Sequence, residues 1–288
     1  MRLFAYHRPT TVPEATGLLG ELGEDAALLA GGTSLMNMAK LGLAEPEHVI
    51  ALDGVPELHG LRGSPQEGLT LGAMTRLRDL ETSHLVRGLA PGIAEAAGHV
   101  ATVRIRNQAT VGGTLVHADP NQDLPPMLMV HDAVARMTGP AGAREVPVCE
   151  MFVGFYQSVV GEDEVLQSVW VPPLAPGVRS GYLKFLPRTQ DDYPTISIAA
   201  ALRIVDGRVE DARIAVAGGG ATPVRCRDAE AALLADGTDA PSLHAAADLV
   251  PDCLDPISDG RGSSGYKKAM ARVCTQRLLQ RVTAEATA

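Results

Sequence analysis

Two short stretches of the 288-residue chain carry the residue types that hold a phosphorylated ligand. The first is Leu28-Leu29-Ala30-Gly31-Gly32-Thr33-Ser34-Leu35. An apolar run ends, two glycines follow, and hydroxyl residues open a segment with helical spacing. Glycines permit positive φ and let a ligand approach the main chain closely. The N–H groups at a helix start lack intrahelical acceptors and attract anions. Thr33 or Ser34 is placed either to cap that helix or to donate to a phosphate oxygen. The second stretch, Thr110-Val111-Gly112-Gly113-Thr114, repeats the recipe, and two such loops suffice to clamp one pyrophosphate from both sides. Taken singly, each is equally a plain Gly-Gly turn with a hydroxyl cap. Arg104 and Arg106, beside the second loop, read as solvated.

Other chemistry finds little support. Gly260-Arg261-Gly262-Ser263-Ser264-Gly265 has the literal form of a dinucleotide fingerprint. That fingerprint needs a buried strand before it and a βαβ unit after it. Here the preceding Asp252–Asp259 segment is polar, so the stretch reads as an exposed loop capping the last helix. Gly218-Gly219-Gly220 reads as a strand-to-turn corner. His117 and Asp119 lie close together without a third residue spaced to complete a metal site. The adjacent carboxylates Asp191 and Asp192 face solvent on the default reading, and Tyr193 beside them reads as a core or interface residue until more is known. No nucleophile elbow or Walker loop is present. Cys149, Cys226, Cys253 and Cys274 are scattered without a C-x-x-C pair, so buried inert thiols are expected rather than a zinc or iron–sulfur site.

The elements that must position these loops can be traced along the chain. Leu3–His7, Ala26–Ala30, Val49–Leu52 and Leu69–Leu71 read as strands. Helices are predicted from about Val12 to Leu22, over Leu35–Leu41 and over Val86–Ala97. Ile105–Asp123 reads as loop-rich. Three prolines and a glycine in Val171–Gly177 mark a boundary. Beyond it, strand patterns at Ser180–Leu186, Ile196–Ile204 and Ala212–Ala217 precede helical ones at Ala229–Leu234, Ser242–Val250 and Tyr266–Val282. An α+β protein follows, with residues 1–176 as a first domain (subdomains about 1–55 and 56–176) and 177–288 as a smaller α+β second one. The formal net charge is -9 and only 3% of residues are aromatic, which excludes a phosphate-neutralising or base-stacking surface for nucleic acid. No apolar run reaches the ~18–20 residues of a membrane span. Residues 1–9 lack the apolar core of a secretory signal, so a cytoplasmic setting is expected.

Several segments, in order, resemble one family. Phe4-Ala5-Tyr6-His7-Arg8-Pro9, Ala30-Gly31-Gly32-Thr33-Ser34-Leu35, Ile105-Arg106-Asn107-Gln108-Ala109-Thr110-Val111-Gly112-Gly113 and Gly219-Gly220-Ala221-Thr222-Pro223-Val224-Arg225 are each modest; their order and spacing together are specific. Over residues 1–282 the chain resembles the flavoprotein (medium) subunit of molybdenum hydroxylases, a family that includes carbon monoxide dehydrogenase, nicotine dehydrogenase and the flavin domain of xanthine dehydrogenase. The resemblance implies a two-subdomain, PCMH-type FAD-binding domain followed by an α+β domain of the CO-dehydrogenase-flavoprotein type. It implies FAD, with its pyrophosphate on Leu28–Leu35 and on Thr110, Gly112 and Gly113. Carried over by position, Asp123 is an acidic flavin contact, Lys184 lies near the isoalloxazine, and Tyr193 covers a ring face. The polar turn His117–Asp123 departs from the small-residue version usual in the family. The chain also lacks the cysteine-bearing insertion of benzoyl-CoA-type relatives.

The implied function is electron transfer. A molybdenum-cofactor large subunit hydroxylates substrate, a small subunit with [2Fe–2S] centres relays single electrons, and FAD in this chain passes them to an acceptor. The subunits would form a heterotrimer or its dimer. Such a role needs no side-chain nucleophile or base, and none was found. Two rivals stand beside it: a flavin oxidoreductase acting alone on a small molecule, and a scaffold that has lost its flavin.

Overall fold

Thr11 starts the first helix because its hydroxyl accepts the Glu14 N–H at 3.2 Å and Pro13 follows in the first turn, where a missing N–H costs nothing. The helix, α1 (Val12–Leu22), buries Val12, Ala15, Thr16 and Leu19, a stripe at helical spacing, and stops at Gly23 with φ +56°. The computed structural model describes residues 2–287. In it, α1 packs beside a parallel three-stranded sheet of β1 (Ala5–His7), β2 (Ala26–Leu29) and β3 (His48–Ala51), with β3 in the middle. The first glycine loop joins β2 to α2 (Leu35–Leu41).

The next module begins with the hairpin β4 (Leu61–Ser64) and β5 (Gly68–Gly72). A run of short helices follows: α3 (Leu77–Thr82), α4 (His84–Leu89), α5 (Pro91–Gly98), α6 (Val103–Arg106), α7 (Val111–His117) and α8 (Leu124–Val130). Then come β6 (Val134–Gly139), β7 (Gly142–Pro147), the small hairpin β8 (Phe152–Gly154) and β9 (Gln157–Ser158), and β10 (Val165–Val171). Strands β4, β5, β10, β6 and β7 form one antiparallel sheet in that order. Two sequence readings change here. The helical stretch Val86–Ala97 breaks at Ala90 (φ -150°, ψ 69°), because the residue before Pro91 is driven from the α region. The loop-rich stretch Ile105–Asp123 takes in the end of α6 and all of α7, each helix opened by a threonine side-chain cap.

Beyond the Pro-rich boundary, β11 (Val178–Phe185), β12 (Ile196–Val205), β13 (Arg208–Ala217) and β14 (Val224–Arg225) make an antiparallel sheet in chain order. Helices α9 (Arg227–Asp236), α10 (Ala240–Leu249) and α11 (Ser264–Thr287) accompany it. Residues 196–202 of β12 are all buried because both sheet faces are covered, which explains their nearly unbroken apolar run. Ile196, Ile198, Ala200 and Leu202 pack in the core made with the C-terminal helices, while Ala199, Ala201 and Ala215 pack into the core of the preceding module. On this second face the small side chains let α8 lie close against β12 and β13. Arg225 seals the same junction, donating to the Met129 carbonyl and Asp132 at 3.0 Å and to buried Glu230 at 2.6 Å. The second and last modules are therefore locked together, which is what brings β11 to the glycine loops.

The cysteines correct the expectation of four buried thiols. The start of α9 and the segment after α10 pack together, so Cys226 and Cys253 pair as a disulfide with Cα atoms 6.0 Å apart. Cys274 is a buried thiol and Cys149 an exposed one.

Candidate functional site

The two glycine loops meet, and Gly31 is the reason they can. A Cβ on Gly31 would stand 1.9 Å from the Gln108 carbonyl oxygen, so the close backbone contact excludes any side chain. The second loop is itself stapled to the strand end after β5. Val111 N–H donates to the Thr75 carbonyl at 2.9 Å and Gly112 N–H to the Ala73 carbonyl at 2.7 Å. Gly112 also lies where a Cβ would press on the Ala73 side chain at 2.8 Å.

The loops share a composition and differ in chemistry. Thr110 Oγ1 accepts the Gly113 N–H at 3.0 Å, and Thr114 N–H donates to the Thr110 carbonyl. Every N–H from Val111 to Thr114 therefore already has an acceptor. In the first loop, the N–H groups of Gly31, Gly32, Thr33 and Ser34 have none among the described residues. Neither Thr33 nor Ser34 uses its hydroxyl as a helix cap; the Thr33 carbonyl instead accepts from the Asn37 side chain at 2.8 Å. Gly32 has φ +72°, which turns the chain so that these donors stay free. An anion is offered real donors on one side and a rigid wall on the other.

A cleft of about 520 Å³ runs from these loops to the C-terminal module. Leu28, Ala30, Gly31, Gly32, Thr33, Ser34, Leu35, Thr110, Gly112, Gly113, Asp123, Lys184 and Tyr193 all line it. Leu29 does not; strand alternation sends it to a separate cavity with Tyr6, Met36 and Gln108. Apolar walls come from Met38, Met74, Leu77 and Ile105. Arg106 is not solvated as its position in the sequence suggested. It pairs with Glu81 at 2.8 Å and donates to the carbonyls of Val100 and Ala101, fixing the wall behind the second loop.

The far end of the cleft holds a buried polar group that the sequence reading only half found. Strand β11 alternates: Leu183 and Phe185 pack in the C-terminal core, so Tyr182 and Lys184 point the other way. Lys184 Nζ donates to Asp123 Oδ2 at 3.0 Å and to the His99 carbonyl at 2.9 Å, and the Tyr182 hydroxyl donates to Asp123 Oδ1 at 2.5 Å. Burial pushes the Asp123 carboxyl above its ordinary range, and the charge of Lys184 and the Tyr182 hydrogen bond only partly hold it back. Burial likewise pushes the Tyr182 phenol well up, reinforced by Asp123. Tyr182 was missed because a tyrosine among apolar neighbours carries no local sign of a charged partner. Gln122 was missed as well; its Oε1 is buried in the cleft wall without a partner.

Tyr193 stands at the mouth, half exposed. Its phenol is pushed above its ordinary value by burial of the hydroxyl end and then by the charge of Asp119. Asp119 is buried and also accepts from the Asn121 N–H at 2.9 Å and the Tyr156 hydroxyl at 3.4 Å. The polar turn that departs from the family pattern is thus an organised carboxylate turn.

Comparison with known proteins decides what this cleft belongs to. The family described as FAD binding domain in molybdopterin dehydrogenase matches residues 2–174, and the CO dehydrogenase flavoprotein C-terminal domain matches residues 181–282. The chain is 39% identical over 278 residues to the carbon monoxide dehydrogenase medium chain of Hydrogenophaga pseudoflava, covering 96% of each. It belongs to the FAD-binding medium subunits of the molybdenum hydroxylases.

Other members reach further across substrates. A 6-hydroxypseudooxynicotine dehydrogenase subunit of Paenarthrobacter nicotinovorans is 34% identical over 96% of this chain and 93% of that one. Among solved structures, a carbon monoxide dehydrogenase of H. pseudoflava superposes with TM-score 0.95 at 40% identity over 98% of both chains. Quinoline 2-oxidoreductase of Pseudomonas putida 86 does so with TM-score 0.94 at 28% identity, covering 100% of this chain and 99% of that one. The fold is accordingly the FAD-binding domain of this family followed by its α+β C-terminal domain, and FAD is the cofactor. The cleft fits that group: the first loop leaves amides free for an anion, Gln122 offers an unused acceptor, and the lining runs from β2 to β11. The subunit is an oxidoreductase component, and no helix among the described residues is long and apolar enough to cross a membrane.

Proposed function

We propose that this subunit takes electrons from a [2Fe–2S] small subunit and hands them to an external acceptor, while a molybdenum-cofactor large subunit performs the hydroxylation. The three chains would form a heterotrimer or its dimer, in the cytoplasm. The observation that carries the reading is the single cleft, which gathers donors from the first module, a wall from the second and a buried polar group from the third. FAD, when bound, supplies two-electron storage between a one-electron relay and an acceptor; the protein supplies position and electrostatics.

The residues divide that work. Gly31–Ser34 hold the diphosphate through their free amides, and Leu28 and Leu35 flank it. Thr110, Gly112 and Gly113 form the opposing wall and allow close approach. Asp123, paired with Lys184 and oriented by Tyr182, and Gln122 address the ring system. Tyr193 covers a ring face and keeps water from it. The proposed domain division at 176/177, with subdomains about 1–55 and 56–176, is supported by the separate sheets and by the limits of the two family matches.

Co-purification with the products of neighbouring genes tests this, followed by an absorption spectrum and metal analysis. Flavin, molybdenum and iron in one complex are expected. Flavin without a metal-bearing partner would favour an oxidoreductase acting alone, and a colourless chain that takes up no FAD would leave a scaffold.

A further inference from the structure

Strand β11, which carries Tyr182 and Lys184 to the cleft, stands at the edge of its sheet beside β12. An edge strand turns a row of N–H and C=O groups away from its neighbour, and these need partners from elsewhere. At Tyr182 both are taken by side chains. The Tyr182 N–H donates to Glu95 Oε2 at 3.0 Å, and the Tyr182 carbonyl accepts from Arg281 Nη2 at 3.0 Å. The same Arg281 nitrogen stands 3.0 Å from Glu95 Oε1. The contacts close a ring, from N–H to carboxylate, carboxylate to guanidinium, and guanidinium to carbonyl. The ion pair thus serves Tyr182 as the facing residue of a further antiparallel strand would.

The two partners come from different modules. Glu95 lies in α5, whose end also supplies the His99 carbonyl that accepts from Lys184. The His99 ring lies 5.7 Å from the Tyr182 ring. Arg281 lies in α11, 99 residues beyond Tyr182. Gly181 admits it: a Cβ there would stand 2.7 Å from the Arg281 nitrogen, 3.0 Å from Val282 and 3.1 Å from Leu278. Both members of the pair are part-exposed, and exposed ion pairs add little stability. What this one offers is placement. Neither residue lines the FAD cleft; both line a separate cavity along Pro172, Pro173 and Ser180. Their reach into the cleft passes through fully buried Tyr182, whose hydroxyl donates to Asp123 Oδ1 at 2.5 Å.

We propose that Glu95 and Arg281 are positioning residues that clip the Tyr182 peptide and so hold its hydroxyl on Asp123 beside the flavin ring. The inference rests on the reading of Asp123 as a ring contact given above. It gives α5 and α11 a part in the FAD site, although neither helix lines the cleft.

The test is the absorption spectrum of bound flavin and equilibrium FAD titration of the full chain, with urea unfolding alongside. Tyr182→Phe removes the hydroxyl alone. It should shift the flavin bands and lower FAD affinity by roughly two- to tenfold, the range of one hydrogen bond. Arg281→Met frees the Tyr182 carbonyl and should shift the bands in the same direction. In the double variant the shift should equal that of Tyr182→Phe alone, because the clip acts through the hydroxyl. Glu95→Gln, whose amide turns a donor toward Arg281 or the Tyr182 N–H, makes the same cut from α5 and keeps the test open if Arg281→Met unfolds. The exchanged pair Glu95→Arg plus Arg281→Glu separates a clip from a plain ion pair. It restores opposite charges but sets a donor against the N–H and an acceptor against the carbonyl, so the bands should stay shifted. Arg281→Lys, which can still donate to both carbonyl and carboxylate, should return most of the wild-type spectrum. Asp123→Asn reports separately on the ring contact. If it leaves the bands unchanged, that contact fails and the clip with it. If it shifts them while Tyr182→Phe or Arg281→Met does not, the clip alone is refuted. Additive shifts, or a wild-type spectrum in the exchanged pair, would refute the clip as well.

Discussion

Gly31→Ala should damage both the fold and the cofactor site, by an amount that the contact geometry sets. Gly31 carries no positive φ, so the substitution adds no backbone strain and isolates one steric conflict. The new methyl would lie 1.9 Å from the Gln108 carbonyl oxygen, 2.7 Å from its carbon and 3.1 Å from the Ala109 Cα. These are main-chain atoms and cannot rotate away. Ordinary contact begins near 3.4 Å, so the loops must part by about 1.5 Å. Overpacking of this kind costs about 1–3 kcal/mol. The free amides of Gly31–Ser34 would move with the loop, and losing one charge-assisted hydrogen bond costs a further ~1.5–3 kcal/mol of binding. FAD affinity should therefore fall by roughly ten- to a hundredfold. Gly17→Ala is the control: its Cβ would meet nothing within 4 Å, and in the middle of α1 it should stabilise by about 0.5–1 kcal/mol without touching flavin. Urea unfolding of the apo chain and equilibrium FAD titration supply the two numbers. A Gly31→Ala chain with wild-type stability and wild-type affinity would show that the loops do not meet as described.

Two further outcomes follow from buried charge. Lys184→Met leaves Asp123 buried with only the Tyr182 hydroxyl, and should destabilise the chain by about 3–5 kcal/mol, largely recovered in Lys184→Met plus Asp123→Leu; equal urea midpoints for both variants would contradict this. His131 is fully buried between the Met127 carbonyl and Ser180, and burial holds its pKa down to about 4 from 6.5. Below pH 6.5 the unfolded chain binds a proton that the folded chain refuses, so stability is full above 6.5 and falls as pH drops toward 4. The slope from this residue is about 1.4 kcal/mol per pH unit. Subtracting the pH profile of His131→Leu from that of the wild type should expose it; a flat difference would refute the assignment.

Local signals made the framework legible. Thr11 and Pro13 announce α1, the apolar run before Gly31-Gly32 announces β2, and the strands and helices after residue 177 follow their own periodicities. The two glycine loops, Asp123, Lys184 and Tyr193 could be named because each lies in a collinear segment that resembles one family. These are properties of neighbours along the chain: backbone preferences, caps and hydrophobic spacing act over a few residues and leave their mark there.

The tertiary structure decided how those residues are used. Gly31 is required by a carbonyl 77 residues away, at Gln108. Two loops of the same composition came out unlike, because the second gives its N–H groups to Ala73, Thr75 and Thr110 while the first finds no acceptor for its own among the described residues. Helix α7 was hidden by its two glycines, and Leu29 was turned out of the cleft by a strand's alternation. Tyr182 acquired a carboxylate partner, Cys226 a sulfur one, and Arg261 a tyrosine ring, all from distant segments. Hydrogen bonds, close packing and desolvation depend on distance in space. Residue identity settles which contacts a side chain is able to make, and only the folded chain settles which of them it makes.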